Sequence, residues 1–445
     1  MKLRAAILLT FQLRRLRRRR YAAVVPDPSE DDEMARLSRF RVGIQATRAK
    51  VISFGKPPEQ CKYTDPEALF AALEAEDTLL LRASWLKAQH NNASFRLPRR
   101  GDELPPEATI SADDLREIHY CNRKLHEFTG QRIVALPFVA LSHVWHTAEH
   151  ADPDGVTARL LAEAFSNRWH QFARRGVTDL GVFIDVCSVA TDHRRPPVAS
   201  LSSGSGGHGC REHGLWFAHA GTTVWMASQG VDARGKSYCT LASCCAERAL
   251  AHLLKMPSHS RACDWPQLVD LGKSCSEIDH QSILVRPAPL SPLAFAPGHL
   301  RPGLNVGAHD DARGGLEDFV APMFERTMVE LLGTVTELDF GGLRWGDEQA
   351  AQLATVLPLC VGLRVLRLDH NHISDAGVKA IAPALAGLTN LRQLKLQGNA
   401  RVSKAGMAAL ARVGGEKKRE NRWSQAGNAA LTFAAFAKQP LPGRS

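Results

Sequence analysis

The chain lacks any run of about 18 apolar residues, so no membrane span is expected. It also lacks a CxxC pair or any compact cysteine framework. Its ten cysteines therefore read as reduced thiols of an intracellular, cytoplasmic protein. Residues 1–20 contain no acid, only Lys2, Arg4, Arg14, Arg15, Arg17, Arg18, Arg19 and Arg20. That tail carries most of the net charge of +10, which leaves the rest close to neutral. The basic balance thus reports a tail, and no specific nucleic-acid partner is expected. The apolar stretch 5–11 is too short for a secretory signal, and its Arg cluster lies on the wrong side. A solvated arm, a mitochondrial presequence and a nuclear or anionic-membrane patch all remain open readings of this start.

What is present is ordinary globular material, 44 % hydrophobic and 23 % charged, long enough at 445 residues for about two or three domains. An arm over 1–45 turns acidic at Glu30, Asp31, Asp32 and Glu33. A helical extension follows over 46–130. Asp65-Pro66 opens a predicted helix over 66–91, and Ser111 with Asp114 resembles a capping box before a second helix. Residues 131–290 read as an α/β domain. Strands are predicted at 138–142, 181–186, 222–227 and 282–285, and helices at 156–175 and 241–254. Such alternation implies a parallel sheet covered on both faces. The stretch 191–214 is too polar to pack and reads as a loop. A Pro/Gly linker over 291–315 leads to a helix at 316–332, and a basic, then Ala-rich tail fills 416–445.

Between helix and tail, over 316–415, an L-x-x-L-x-L template recurs at 28-residue intervals. Its copies are Val335/Leu338/Phe340, Leu363/Leu366/Leu368 and Leu391/Leu394/Leu396. Asn371 and Asn399 follow the second and third copies; Leu343 holds that place in the first. This pattern resembles leucine-rich repeats of the ribonuclease-inhibitor type, with the 316–332 helix as cap. The resemblance implies a short α/β solenoid whose concave strand face binds a protein. Arg364, Arg367, Arg392 and Lys395 would then front an acidic partner.

Two constellations in the α/β domain carry chemistry. Gly230-x-x-x-x-Gly235-Lys236-Ser237 matches the phosphate-binding P-loop, with a predicted strand before it and a helix after it. Backbone N–H groups would wrap a polyphosphate, Lys236 would meet its end, and Ser237 would hold Mg²⁺, making Mg-ATP the implied cofactor. No downstream apolar strand ending in an acid is evident to orient the metal. His143, His146 and His150 have the spacing of one helix face, but a loop is expected there and no metal site is assigned. His208, Cys210 and His213 lie in the polar loop and read as solvated.

The second constellation is a resemblance. Ala140-Leu141-Ser142-His143-Val144-Trp145 and Ile184-Asp185-Val186-Cys187 are similar to the paired strand motifs of fungal heterokaryon-incompatibility (HET) domains and their Toll/interleukin-receptor (TIR) relatives. Protist and algal proteins of this type share the LSH-x-W and DPDG elements. The resemblance covers roughly residues 95–290. It implies a flavodoxin-like sheet, ligand contact by His143 and Trp145, and self-association or signalling. Asp185 ends a predicted buried strand and either contacts a ligand or caps the next turn. TIR enzymes cleave NAD⁺ with a helix-start glutamate. The frame at Tyr238-Cys239 places Ala242 where that glutamate belongs; the frame at Cys244 keeps Glu247 and loses the aromatic residue. Glu247 is the catalytic candidate of an NAD⁺ glycohydrolase reading, against a solvated helix carboxylate. The P-loop and glycohydrolase readings need the same helix start and exclude each other. The expected function is a protein-interaction scaffold, with these two enzyme classes as alternatives.

Overall fold

A computed structural model describes residues 61–75, 78–129, 136–147, 150–174, 176–188, 212–255, 267–271, 286–292, 320–413, 421–424 and 431–435. The basic arm, the strand predicted at 282–285, His208, Cys210 and most of the linker and tail lie outside these residues.

The predicted 66–91 helix is two helices with a strand between them. Helix α1, Pro66–Glu74, is capped by the Asp65 carboxylate on the Glu67 N–H, with Pro66 at its first position. The chain then turns into strand β1, Leu81–Arg82, followed by α2, Ala83–Ala88. The apolar run Leu79-Leu80-Leu81 mimics a helical stripe. Its backbone instead bonds distant partners: Leu79 N donates to Ser188 O, and Ala83 N to Leu180 O. Helix α3, Ala112–Thr129, starts on the Ser111 hydroxyl, which accepts the Asp114 N–H. The Asp114 carboxylate pairs with Arg82 at 3.0 Å.

Strand β2, Phe138–Ser142, agrees with its predicted bounds and is buried throughout. Helix α4, Val156–Arg174, leads to β3, Gly181–Phe183. This strand is shorter than predicted, because Asp185 already opens a short helix, α5, Asp185–Ser188. There the Ser188 hydroxyl accepts the Ile184 N–H. The end of the supposed polar loop is helix α6, His213–Ala218, buried along its length. Strand β4, Thr223–Met226, and helix α7, Ala242–Leu254, follow. A further strand, β5, Leu268–Asp270, escaped the sequence reading. The order across the sheet is β1-β3-β2-β4-β5, with β1 antiparallel and the other four parallel.

Strand alternation sorts the core onto two faces. Trp225 meets Phe165 of α4 at 4.5 Å between ring centroids. On the other face Phe138 meets Phe70 of α1 at 5.4 Å and Trp216 of α6 at 5.6 Å, while Phe183 stacks on Trp216 at 5.1 Å. Each such ring contributes about 2–3 kcal/mol by burial.

The repeats begin with helix α8, Ala321–Thr334, and continue through β6, Glu337–Asp339; α9, Asp347–Val356; β7, Val365–Arg367; α10, Asp375–Ala386; β8, Gln393–Lys395; and α11, Lys404–Val413. The three strands are parallel, and the 28-residue interval sets their register: Leu338 opposes Leu366, which opposes Leu394, all buried. Asn371 accepts the Leu343 and Trp345 N–H groups and donates to Phe340 O and Leu368 O. It thereby serves the first copy, which has no asparagine of its own. Asn399 accepts from Ile373 N and donates to Leu368 O and Leu396 O. A second ladder runs behind. Asp347 accepts from the Ser374 N–H and hydroxyl and from Gly377 N, and Asp375 accepts from the Ser403 N–H and hydroxyl. Strands β9, Asn421–Ser424, and β10, Leu431–Ala435, extend this sheet antiparallel from β8.

The sheet half and the repeats are joined by buried polar contacts. Arg286 donates to His252 O and Leu253 O at the end of α7, and to Asp339 O of β6 at 2.7 Å. Its guanidinium lies 4.7 Å from the Phe340 ring centroid, and its carbonyl accepts the Trp345 indole N–H. Helix α8 packs on α6, where a side chain at Gly214 would strike Thr327. The Tyr63 hydroxyl donates to Glu330 of α8 at 3.0 Å. Among the described residues no helix is long and apolar enough to cross a membrane.

Candidate functional site

Counted along the chain, the four parallel strands lie in the order second, first, third, fourth. The order reverses between β2 and β4. In open α/β sheets, crevices that hold ligands form at such a reversal, beyond the C-terminal ends of the strands. Two buried polar groups occupy this edge.

The first centres on Glu247, in the second turn of α7. Its Oε2 accepts the Ser142 hydroxyl at 2.6 Å, and its Oε1 lies 3.2 Å from His213 Nε2 at the start of α6. Ser142 Oγ also meets the Tyr238 hydroxyl at 2.7 Å. None of the four side chains is more than 4 % exposed. The proton inventory sets direction. Ser142 has one hydroxyl proton, which goes to the carboxylate, so Tyr238 donates to Ser142. A carboxylate that accepts from His213 requires the tautomer protonated at Nε2. Burial pushes the Tyr238 hydroxyl well above its ordinary pKa and keeps it a donor. Glu247 is therefore not a solvated helix carboxylate, and His213 is not a solvated loop histidine. A buried charge without donors would cost several kcal/mol, and here donors from β2 and α6 meet it.

The second group spends its members on each other. Asp185 Oδ1 lies 3.0 Å from His143 Nε2, and its carboxylate accepts the Trp145 indole N–H at 3.0 Å and the Val186 N–H at 2.8 Å. These contacts hold the exit of β2 against the end of β3. Asp185 thus holds the Val186 N–H at the start of α5 as well as the Trp145 indole. His146 lies apart: its Nδ1 faces Val231 O, and its carbonyl accepts the Ala233 N–H.

The loop at Gly230-x-x-x-x-Gly235-Lys236-Ser237 closes on itself. The Asp232 carboxylate accepts the N–H groups of Arg234 and Lys236. Gly235 N donates to Asp232 O, Asp232 N to Lys236 O and Gly230 N to Ala227 O. In a phosphate cradle such N–H groups converge on the anion; here those of Arg234, Gly235 and Lys236 converge on Asp232. Ser237 precedes a 3-10 turn at Tyr238–Thr240, and α7 begins only at Ala242. One sequence inference is corrected: a downstream parallel strand ending in an acid does exist. It is β5, whose Asp270 accepts the Ser228 hydroxyl. Among the described residues no group of three or more His, Cys, Asp or Glu is placed to hold a metal ion.

On the repeats, Arg364 and Arg392 are exposed, and Lys395 is half-buried on the strand face. Arg367 differs from them. Asp339 lies 3.5 Å and Asp369 3.4 Å from its guanidinium, so its charge is met within the ribbon. The acids of the first copy, Glu337 and Asp339, share that face with the cations of the later copies.

Sequence reasoning missed Ser142, Tyr238 and His213 as partners of Glu247, and Arg286 as the joint. Those pairings are non-local and leave no spacing to read. The Asp347/Asp375 ladder did leave a signal, a second 28-residue interval.

Residues 363–382 and 387–411 match the family model described as Leucine Rich repeat. The stretch 363–411 is thus a leucine-rich repeat, and such repeats point to a role in protein interaction. No curated protein and no solved structure matches the chain.

Proposed function

We propose that the chain is an interaction and signalling scaffold. The strand face of its leucine-rich repeats binds a protein partner, and its parallel-sheet half, read as a flavodoxin-like domain of TIR/HET type, self-associates or relays that binding. The Leu338–Leu366–Leu394 ladder carries this reading. It keeps the leucines inside, while exposed Arg364 and Arg392 and half-buried Lys395 supply positive charge toward an acidic partner surface. A photo-crosslinking residue at Gln393 is expected to capture the partner, and joint reversal of Arg364, Arg392 and Lys395 to Glu to abolish capture. A partner kept by the triple variant, or captured only from exposed Lys379 on α10, sinks the reading.

A second reading is favoured by one observation, the place of Glu247 beside the strand-order reversal. There Glu247 would orient the ribose hydroxyls of NAD⁺ and steady the oxocarbenium ion as nicotinamide leaves. Under the scaffold reading purified protein leaves NAD⁺ intact; turnover lost on Glu247→Ala selects the enzyme.

A further inference from the structure

Three thiols gather at the start of α7, outside both the strand face and the Glu247 network. Cys244 is buried, its thiol on the His143 carbonyl at 3.4 Å. Cys239 is exposed in the turn before the helix, with an Arg248 guanidinium nitrogen 3.9 Å from its sulfur. Cys245 is half-buried and donates its thiol to the Cys239 carbonyl at 3.2 Å. A carbonyl oxygen lies about 2.4 Å from its own Cα by bond geometry, so the Cys245 sulfur is within about 5.6 Å of Cys239 Cα. Bridged cysteines keep their Cα atoms about 4.4–6.8 Å apart, so closing this bridge takes rotation of both side chains and a small shift of the turn before α7. The Arg248 guanidinium offers the Cys239 sulfur a donor, and exposure gives peroxide access to it.

We propose that Cys239 and Cys245 form a peroxide-responsive pair, with Cys239 attacked first and Cys245 resolving. The Cys239 thiolate attacks hydrogen peroxide; an S–O bond forms, the O–O bond breaks and hydroxide leaves. The Cys245 thiolate then attacks the sulfur of that sulfenic acid. An S–S bond forms, the S–O bond breaks, and the departing hydroxide takes up a proton as water. The two thiols lose two electrons, which peroxide accepts. The bridge draws on the turn that carries Tyr238, and so on the hydroxyl held by Ser142.

Trypsin releases residues 237–248 as one peptide holding all three thiols. After full-length protein meets hydrogen peroxide, that peptide is expected two hydrogens lighter, with fragment ions bridging Cys239 to Cys245. Cys61, half-buried against the Thr334 hydroxyl, serves as the internal comparator and stays alkylatable. In Cys245→Ser protein, dimedone is expected to label Cys239, and Arg248→Gln to slow that labelling several-fold. The proposal fails if residues 237–248 oxidise no faster than Cys61, if the bridge forms to Cys244, or if Cys239 takes no dimedone in the Cys245→Ser protein.

Discussion

The repeats and the parallel sheet satisfy their buried polar groups in opposite ways. In the repeats, Asn371 and Asn399 reach to neighbours 3 or 26–31 residues away, and Asp347 to groups 27–30 residues away. Each inter-copy bond is one period long, give or take the turn. In the sheet half, Ser142 reaches Tyr238 across 96 residues and Glu247 across 105, while His143 reaches Asp185 across 42. None of those separations repeats. A periodic half states its contacts in its spacing; an aperiodic half states them only after closure.

The largest expected effect tests whether the halves stand or fall together. Arg286→Met leaves three carbonyls and the Phe340 ring without their cation and should cost about 3–5 kcal/mol, read as a lower denaturant midpoint. An unchanged midpoint would uncouple the two halves. Next, a matched pair of deletions compares the two modes of satisfaction. Asn371→Ala strands four backbone groups and should cost about 2–4 kcal/mol, against about 1–3 kcal/mol for Ser142→Ala, which takes one donor from Glu247 and the Ser142 contact from the Tyr238 hydroxyl. Equal losses would erase the distinction.

Acidity should separate the halves further. Burial pushes His119 down to about 4, and His219 and His252 to about 3. The unfolded chain then binds more protons than the folded one, so stability in the sheet half falls as pH drops below about 6.5. Burial, helped by Arg286, also lowers Lys255 to about 7, so stability rises again between pH 7 and about 10.5. In the repeats, burial raises the Asp347 pKa, but the Ser374 and Gly377 hydrogen bonds outweigh it and hold the carboxyl below its usual value. That contribution disappears only as pH falls below about 3.8. Hydrogen exchange at pH 4.5 is expected to lose protection in β2–β4 before β6–β8; the reverse order would contradict the assignment. The smallest effect concerns one backbone position. Gly342, His370 and Gly398 recur at the repeat interval with φ of 66°, 54° and 76°. His370→Gly should therefore stabilise the protein by about 1 kcal/mol in a denaturation curve.

Legibility followed the same division. Strands β6–β8 and their inward leucines were readable, as were β2, α4 and α7, whose apolar runs are long enough to show a period. The LVD strand β5 and the HGLWFA helix α6 are too short for one, and both were missed. The 66–91 prediction failed for the complementary reason: its run of leucines fits a helix locally, and only pairing with β3 selects a strand. At the sheet edge, Glu247 was recognised as a candidate, but its burial and its partners were not. The P-loop match illustrates the limit of a short motif. Four residues agree, yet Asp232, a position the motif leaves open, accepts the N–H groups of Arg234, Gly235 and Lys236.

By itself the amino-acid order determined the repeat register, the inward leucines and the parallel character of the first sheet, because each follows from periodicity along the chain. Tertiary structure alone decided that Glu247 is buried between Ser142 and His213, that Arg367 is met by Asp339 and Asp369, and that Arg286 ties α7 to β6. Those outcomes depend on which distant segments share a volume after the chain closes, and side-chain charge and backbone donors settle only against the neighbours found there.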